Sequence, residues 1–419
     1  MYGLIGKHLS HSYSKIIHEK ISSIEYNLIE LDTLHDFFAS KEFSAINVTI
    51  PYKTEVMQYL DQIDPLALEI GNVNTIVNKD SILYGYNTDY IGLEKSLSNN
   101  QVSLTNKNIL ILGNGATSRL IKVLCKHSNA SNVTVLARNP KENDLSFNDI
   151  HDKESINIIF NTTPYGMYPN LTTEALINLE DYLNVEAVMD LIYNPLKTML
   201  IQDAQRLNIK TINGLEMLVN QAVKANEIFL DTHYNNDIYV DSYRSLLFET
   251  TNFVLIGMPM SGKSHFSRLM KNQYNRHLVD IDRYIEEKEE MSINDIFTNK
   301  GEEYFRKIEA KYIWETAIQR GLIISTGGGT VLNKTSMKYL KANGLIIFIN
   351  VPLNMLLKFN PKNRPLLKDK ESVISLYNYR YPIYNTYTDI LINKRNYDEV
   401  ATLKKIEVKL DEYFGIKWS

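Results

Sequence analysis

The sequence predicts an α/β protein with parallel sheets flanked by helices. Short apolar runs alternate with amphipathic stretches of helix length, which is typical of buried strands in doubly wound sheets. Two glycine-rich turns each follow such a run directly, and turns of this kind cradle phosphates, so at least two nucleotide sites are expected. The apolar runs are 109–112, 133–136, 156–161, 187–191, 253–256, 322–325 and 345–350, and the turns are 113–118 and 257–264.

Length and composition narrow the class of protein. A chain of 419 residues indicates about two to four domains. Hydrophobic residues make up 44% and charged residues 22%, which excludes wholesale disorder. The net charge of -4 argues against a nucleic-acid partner. We find neither a signal peptide nor an apolar run of membrane-spanning length, and the single cysteine, Cys125, fits a reducing compartment. We therefore expect a cytoplasmic protein with no membrane partner.

The domain border is expected between residues 246 and 247. The stretch 231–251 is polar and rich in Tyr, and the apolar run 253–256 then restarts the α/β pattern. Within the first half, a dinucleotide domain begins at the strand before its glycine-rich turn. We therefore predict a dinucleotide lobe at 101–214 and a substrate lobe formed by 1–100 and 215–246.

The second glycine-rich turn has the pattern of a P-loop. Residues 257–264 fit G-x-x-x-x-G-K-[ST] and follow a predicted strand. Backbone N–H groups of such a loop bind phosphates, Lys263 would reach the β and γ phosphates, and the Ser264 hydroxyl would bind magnesium. The alternative is a chance glycine turn, against which the preceding strand argues.

Two carboxylates follow the P-loop by about twenty residues. Asp280 and Asp282 are expected on the same side of a strand end. One carboxylate would organise the magnesium shell, and the other would hold or deprotonate an acceptor hydroxyl. Alone, such a pair is usually just a solvated strand end or a helix cap, but its position after a P-loop favours the catalytic interpretation. The segments 301–309, 325–329, 364–367 and 379–384 follow in order.

In this order and spacing, these segments closely resemble shikimate kinase over residues 251–419. The resemblance implies a P-loop kinase that uses ATP and Mg²⁺ to phosphorylate shikimate. It implies that shikimate is bound by Asp282, Arg306, Gly328 and Arg380, with Asp282 on the 3-hydroxyl and the arginines on the carboxylate. It implies nucleotide contacts from Met260, Ser261, Gly262, Lys263, Ser264, His265, Arg364 (in a lid) and Arg395, catalytic roles for Lys263 and Asp282, and a metal site at Ser264 and Asp280.

Some residues leave room for other interpretations of the kinase half. Met260 stands where the family usually has Gly, and His265 stands where it usually has Thr. These departures put nucleotide affinity in question. Arg306 and Arg380 could alternatively be surface salt-bridge partners.

The first glycine-rich turn indicates a dinucleotide site. Residues 113–118 fit G-x-G-x-x-[GAS] and lie between a predicted strand and a predicted helix that runs through Cys125. Arg138, at the end of the next strand, favours the 2′-phosphate of NADP, whereas an acid there would favour NAD.

Four polar segments precede this turn, at 10–14, 47–53, 71–75 and 85–89. Their hydroxyls, amides and the pair Lys53 and Asp89 suit a polyhydroxylated, acidic small molecule. Lys53 could move a proton at a carbonyl while a hydride arrives from the cofactor. The alternatives are ordinary turn chemistry and, for Lys53, a surface lysine at a helix N-terminus.

Together with 161–167, 190–195 and 213–221, these segments look like shikimate dehydrogenase over residues 1–246. The resemblance implies a two-lobed dehydrogenase with a Rossmann-type domain, and catalysis by Lys53 with Asp89 as its partner. It implies that shikimate is bound by Ser12, Ser14, Thr49, Lys53, Asn74, Asp89, Tyr193 and Gln221. It implies cofactor contacts from Gly113, Asn114, Gly115, Ala116, Thr117, Ala137, Arg138, Asn139, Leu191 and Gly214. The turn departs from the family's G-A-G-G-A, and 137–139 departs from Asn-Arg-Thr, which puts affinity and NADP preference in question.

The two resemblances together imply a bifunctional enzyme of aromatic amino acid biosynthesis. It would reduce 3-dehydroshikimate to shikimate with NADPH and then phosphorylate shikimate with ATP to shikimate 3-phosphate. Two alternatives stay open: an NAD-dependent quinate or shikimate dehydrogenase fused to the kinase, or a fusion in which one half is a decayed, non-catalytic module. We predict no structural metal at His8, His11 and His18.

Overall fold

The computed structural model describes residues 1–9, 12–141, 143–358, 369–394 and 398–416. The chain divides into two compact units. One comprises 1–165, 175–193 and 203–246, and the other comprises 166–174, 194–202 and 247–419. Both short segments hydrogen-bond within the second unit: the N–H groups of Leu196 and Lys197 donate to Asn343 Oδ1 (3.0 Å) and Ala342 O (2.8 Å). In the other segment, the Thr173 carbonyl accepts from Lys338 Nζ at 2.7 Å. The domain and lobe borders given above remain predictions.

The first sheet is mixed and has six strands in the order β2-β1-β3-β5-β6-β4. Its strands are β1 Tyr2–Gly6, β2 Tyr26–Glu30, β3 Ala45–Val48, β4 Gln62–Ile63, β5 Thr75–Lys79 and β6 Ile82–Tyr86. Its helices are α1 Ser14–Ile21, α2 His35–Ser40, α3 Pro65–Ile70 and α4 Thr88–Asn99, with a 3-10 turn at Glu55–Tyr59. The strand β5 runs antiparallel to both β3 and β6, and the other pairs are parallel.

The second sheet is parallel and has the order β11-β10-β9-β7-β8. Its strands are β7 Asn108–Leu112, β8 Asn132–Leu136, β9 Ile158–Asn161, β10 Ala187–Asp190 and β11 Lys210–Asn213. Helices α5 Ala116–His127, α6 Met199–Arg206 and α7 Gly214–Leu230 and a 3-10 turn at Leu179–Asp181 accompany it. The four strands predicted in this region are confirmed, and α7 packs along α4 and α1.

The third sheet is also parallel, in the order β13-β14-β12-β15-β16. Its strands are β12 Asn252–Ile256, β13 Leu278–Asp280, β14 Ile323–Ser325, β15 Gly344–Asn350 and β16 Ile390–Asn393. The helices of this region are α8 Asn236–Thr250, α9 Lys263–Tyr274, α10 Ile281–Glu289, α11 Ile293–Ala317, α12 Lys334–Asn343, α13 Leu353–Leu356, α14 Lys370–Tyr387 and α15 Glu399–Phe414, with a 3-10 turn at Thr330–Leu332. The three predicted strands, 253–256, 322–325 and 345–350, are confirmed.

The central strands of both parallel sheets are buried throughout. Every residue of β12 and β15 is buried, as are all but the first residue of β7. Strands covered by helices on both faces read as continuous apolar runs, which explains why the sequence pattern found them. Among the described helices, none combines the length and the apolarity that crossing a membrane requires.

Candidate active sites

One edge of the first sheet gathers most of the residues predicted to bind substrate. Thr49 directly follows β3, which pairs in parallel with β1, and a Cβ added to Gly6 at the end of β1 would lie 2.6 Å from Thr49 Cγ2. Asn74 directly precedes β5, and its carbonyl accepts the Val48 N–H at 2.8 Å. Asp89 lies in the first turn of α4, just after β6. Sheet topology therefore brings these separate segments to one edge.

Lys53 and Asp89 form an ion pair at this edge. Lys53 Nζ lies 2.6 Å from Asp89 Oδ2, and the side chains are 22% and 15% exposed. Lys53 lies in the turn between β3 and the 3-10 turn. A surface lysine would be far more exposed than this, so the structure argues against that alternative. The pair can hold a positively charged proton donor beside a bound carbonyl.

Asn74 and Gln221 contact each other directly and also share a contact with Thr88, which was not predicted from the sequence. Asn74 Nδ2 donates to Thr88 Oγ1 at 3.0 Å and to Gln221 Oε1 at 3.4 Å. Thr88 N–H donates to Asn74 Oδ1 at 2.8 Å, and Asn47 Nδ2 donates to the Asn74 carbonyl at 3.2 Å. Thr88 and Asn47 are both buried: Thr88 contacts both amides, since its Oγ1 also donates to Gln221 Oε1 at 3.4 Å, whereas Asn47 holds the backbone of Asn74. Asn47 and Thr88 lie inside the polar segments 47–53 and 85–89, and this is the only indication of their role in the sequence.

Ser12, Ser14 and Tyr193 form a second group. Ser14 opens α1, and its N–H donates to Ser12 Oγ at 3.2 Å. The ring of Tyr13, between the two serines, lies 5.4 Å from the ring of Tyr193. Tyr193, three positions after the end of β10, therefore lies beside the start of α1.

The glycine-rich turn of the dinucleotide site is tightly packed at Gly113 and open at Gly115. Gly113 has φ +101, and its N–H donates to Leu136 O at 2.7 Å. A Cβ on Gly113 would lie 2.7 Å from Thr162 Oγ1, whereas a Cβ on Gly115 would meet nothing within 4 Å. Ala116 and Thr117 form the first turn of α5, so the helix N-terminus faces the region where a pyrophosphate would bind.

The two departures from the family pattern contact each other. Asn114 Nδ2 donates to the carbonyl of Asn139 at 3.0 Å and to Asp144 Oδ2 at 2.8 Å. Burial raises the pKa of Asp144, but hydrogen bonds from Asn114 and the Lys141 N–H outweigh it, so the pKa lies below its usual value. Asp144 was not predicted, and the Asn114 contact ties the loop after β8 to the glycine-rich turn. Arg138 is exposed in that loop, directly after the buried Ala137.

Leu191 and Gly214 meet at the ends of β10 and β11. A Cβ on Gly214 would lie 2.0 Å from Leu191 O, so only glycine fits this approach. Beneath them lies Asp190, whose side chain is fully buried. Asp190 Oδ1 accepts from Asn161 Nδ2 and from the Ile192 N–H, both at 3.0 Å. The predicted cofactor residues thus follow β7, β8, β10 and β11 at their carboxyl ends, which meet at one sheet edge.

The P-loop of the second unit is formed as predicted from the sequence, between β12 and α9. Lys263 Nζ donates to the carbonyls of Gly257 (2.9 Å) and Met258 (3.0 Å). Met260 has φ +67, a conformation that favours glycine. Ser261 Oγ is buried and has no hydrogen-bond partner among the described residues. His265 Nε2 lies 3.0 Å from Glu399 Oε2.

Asp280 and Asp282 do not lie together on a strand end, so that expectation is wrong. The strand β13 stops at Asp280 because α10 begins at Ile281, with Asp280 as its N-cap residue accepting from the Arg283 N–H. Asp282 lies in the first turn of α10. Both residues still line one cavity together with Ser264.

This cavity has a volume of about 360 Å³, within the range of small-molecule sites. Its lining includes the predicted residues Ser264, Asp280, Asp282, Arg306, Gly328 and Arg380. We name residues 327–329 the glycine turn. Within the described residues, no group of three or more His, Cys, Asp or Glu could hold a metal ion. Mg²⁺ commonly takes one or two protein ligands plus phosphates and water, which Ser264 and Asp280 fit.

The glycine turn is contacted by three predicted substrate residues. A Cβ on Gly327 would lie 2.8 Å from Asp282 Oδ1, and one on Gly329 would lie 2.5 Å from Arg306 Nη2. Arg380 Nη1 donates to the Gly328 carbonyl at 2.8 Å. The approaches at Gly327 and Gly329 are to the ends of flexible side chains, whereas a Cβ on Gly328 would lie 2.7 Å from Pro259 Cδ and 3.0 Å from its backbone N, so the backbone packing is tightest at Gly328.

The two arginines of the cavity are held differently. Arg306 Nη1 donates to the buried Glu309 at 2.8 Å, and Glu302 contacts the same guanidinium. Burial lowers the pKa of Arg306, but Glu309 and Glu302 outweigh this and raise it. Burial lowers the pKa of Arg380, and Arg380 Nε has no hydrogen-bond partner in the described chain. Arg306 is therefore partly neutralised, whereas Arg380 offers an unused buried donor. Arg364 and Arg395 lie outside the described residues.

The comparisons with known proteins agree with both halves of this arrangement. A shikimate dehydrogenase (NADP(+)) of Methanococcus maripaludis is 38% identical over 266 residues, covering 57% of this chain and 94% of that protein. The chain belongs to the shikimate dehydrogenase family. A shikimate dehydrogenase (NADP(+)) of Clostridium beijerinckii is 36% identical over 255 residues and covers 57% and 94%. The family model "Shikimate dehydrogenase substrate binding domain" matches residues 4–76.

Solved structures match the same dehydrogenase half. A chorismate mutase/shikimate 5-dehydrogenase fusion protein from Clostridium acetobutylicum has a TM-score of 0.54 and 35% identity, covering 58% of this chain and 96% of that chain. Shikimate dehydrogenase 1 from Peptoclostridium difficile has a TM-score of 0.53 and 34% identity, covering 58% and 97%. The family model "Shikimate kinase" matches residues 259–410, so a shikimate kinase domain follows the dehydrogenase half.

Proposed function

We propose that this chain is a bifunctional enzyme of aromatic amino acid biosynthesis. Its dehydrogenase half reduces 3-dehydroshikimate to shikimate, and its kinase half phosphorylates the 3-hydroxyl of shikimate. The proposal rests on one observation. The chain contains the Lys53–Asp89 pair, and it also contains a cavity lined by Asp282, Arg306 and Arg380. The product of the first reaction is the substrate of the second. We assign the two activities to residues 1–246 and 247–419.

In the dehydrogenase half, Lys53 is the proton donor. NADPH, when bound, supplies the hydride that reduces the ketone carbon. The Lys53 ammonium donates its proton to the ketone oxygen, and the Asp89 carboxylate at 2.6 Å holds the lysine in position. The other oxygens of the substrate are oriented by Thr49, Asn74 and Gln221. The hydroxyls of Ser12 and Ser14, near Tyr193, contribute to this as well.

In the kinase half, two arginines and one carboxylate position shikimate. Arg380 Nε and Arg306 pair with the substrate carboxylate, since guanidinium groups bind carboxylates through parallel N–H bonds. Asp282 accepts from the 3-hydroxyl and orients its oxygen toward the γ-phosphate. Lys263 exchanges its bonds to the loop carbonyls for phosphate oxygens, and Ser264 and Asp280 are the groups that would hold Mg²⁺.

Cofactor choice and location complete the proposal. NADP(H) is the cofactor of the dehydrogenase half, supported by Arg138 after β8 and by relatives whose names specify NADP(+). The partners are small molecules, and we infer a cytoplasmic location because the single cysteine, Cys125, is buried as a free thiol.

A coupled assay with two matched variants tests both activities. The purified chain is supplied with 3-dehydroshikimate, NADPH, ATP and Mg²⁺ while NADPH absorbance and shikimate 3-phosphate are followed. Lys53→Met should lower NADPH oxidation at least about 100-fold but retain phosphorylation of added shikimate, whereas Asp282→Asn should impair phosphorylation and retain NADPH oxidation. Loss of only one activity in the wild-type chain would support a decayed module instead. Faster reduction of 3-dehydroshikimate with NADH than with NADPH would support the NAD-dependent alternative.

A further inference from the structure

The carbonyl of Gly328 accepts two hydrogen bonds from one helix. Arg380 Nη1 donates at 2.8 Å and the Tyr384 hydroxyl donates at 2.5 Å. The two donors lie one turn apart on α14, and Tyr384 is fully buried with its ring stacked 5.0 Å from that of Phe348. Since C=O and N–H point in opposite directions across a trans peptide, these bonds fix the orientation of the whole Gly328–Gly329 peptide.

This peptide lies at the centre of the proposed shikimate site. Arg306 Nη2 is 2.5 Å from where a Gly329 Cβ would be, and Pro259 of the P-loop is 2.7 Å from where a Gly328 Cβ would be. A rotation of the peptide would therefore displace both a substrate-binding arginine and the contact with the phosphate loop. Interiors packed this closely transmit such shifts.

The two donors are not equivalent once shikimate binds. A carboxylate takes two parallel N–H bonds from a guanidinium, and the Arg380 Nε is unused within the described chain. A carboxylate bound through Nε–H and Nη2–H leaves Nη1 facing Gly328. Any movement of the guanidinium toward the carboxylate also moves Nη1, so this bond depends on the substrate while the bond from Tyr384 does not. Tyr384 has a single donor, and burial raises its pKa, so the hydroxyl stays protonated over the working range of the enzyme.

We propose that Tyr384 is a positioning residue that holds the Gly328 carbonyl while Arg380 binds the substrate carboxylate. Tyr384 acts on shikimate only through the glycine turn, so its contribution is to shikimate binding rather than to nucleotide binding. This inference rests on the proposed kinase function.

The test is Tyr384→Phe in the full-length chain. The substitution removes one hydroxyl and keeps the ring stacked on Phe348. The KM for shikimate should rise about three- to tenfold, the size expected for one net hydrogen bond, with the KM for ATP unchanged. The assay follows ADP release with no NADP present, so that the dehydrogenase half stays silent. Tyr381→Phe is the matched control, because Tyr381 lies on the same helix and its ring packs near Phe348 and Tyr377.

Three outcomes would contradict the inference, and each has a different meaning. An unchanged KM for shikimate in Tyr384→Phe would overturn the inference alone. Equal rises in both KM values with a lower thermal midpoint would also overturn it, because that pattern belongs to a general structural role. A wild-type chain that does not phosphorylate shikimate would overturn the proposed function and the inference together.

Discussion

Lys53 Nζ lies 2.6 Å from Asp89 Oδ2, although 36 positions separate the two residues in the chain. The lysine comes from the turn after β3 and the aspartate from the first turn of α4. Both side chains are less than one quarter exposed. An ion pair this shielded from solvent keeps Coulomb attraction that exposed pairs lose, so the carboxylate holds the lysine in place.

Replacing Lys53 should therefore affect the reduction step more than substrate binding. We expect Lys53→Met to lower kcat for NADPH oxidation about 100- to 10,000-fold, the usual contribution of a general acid. Lys107→Met is the control, since Lys107 forms a 2.6 Å pair with Glu186 on the surface. Steady-state kinetics at saturating 3-dehydroshikimate measure the effect. A Lys53→Met variant with the kcat of Lys107→Met would contradict the assignment.

Two glycines of the dinucleotide region should respond differently to alanine. An added Cβ on Gly214 would lie 2.0 Å from Leu191 O, whereas one on Gly115 would meet no atom within 4 Å. We expect Gly214→Ala to lower the free energy of unfolding by about 1–3 kcal/mol and Gly115→Ala to lower it by less than about 1 kcal/mol. Urea unfolding compares them, and equal losses would show that the approach at Gly214 relaxes freely.

At Met260, whose backbone is left-handed, glycine should give a more stable protein than alanine, which is the reverse of their usual order. Both Met260→Gly and Met260→Ala remove the side chain, but only glycine adopts φ +67 without strain. We expect the Gly variant to be more stable than the Ala variant by about 1 kcal/mol. At Asn272, an exposed position in α9, Ala should instead be the more stable. Denaturant unfolding of the kinase half tests this, and an Ala variant more stable at both positions would count against strain at Met260.

His18 should make the stability of the dehydrogenase half depend on pH. Burial lowers the pKa of His18 from 6.5 to about 3, and its ring is stacked between Tyr26 and Phe229. The unfolded chain binds the proton below pH 6.5 while the folded chain resists it until about pH 3. Stability is thus present above pH 6.5 and falls as the pH drops, by at most about 1.4 kcal/mol per pH unit.

His18→Phe keeps the stacking and removes the titration, so it isolates this contribution. We expect the unfolding free energy of the variant to change less between pH 6.5 and pH 4.5 than that of the wild-type chain. Unfolding at three or more pH values measures both slopes. Parallel slopes would show that other groups cause the pH dependence.

Local patterns were sufficient for the parts of both sites that follow strands. The predicted strands and both glycine-rich turns are present, because a buried run followed by glycines leaves the backbone few alternatives. The expectation that Asp280 and Asp282 share one side of a strand end was wrong, because Asp280, the last residue of β13, is also the N-cap of α10 and Asp282 lies within that helix. Thr88, Asn47 and Asp144 were missed, since each acts by orienting another polar group rather than by matching a motif.

The sequence by itself determined the fold class, the two phosphate-binding turns and the presence of Lys53, Asp89, Asp282 and the two arginines. These depend on residue type and on spacing along a few turns of chain. Only the tertiary structure decided that Asn114 is tied to Asp144 and that Asp282, Arg306 and Arg380 all contact the glycine turn. Such contacts join residues from different strands and helices, and their geometry is set by how closely packed side chains fit together, which no local pattern records.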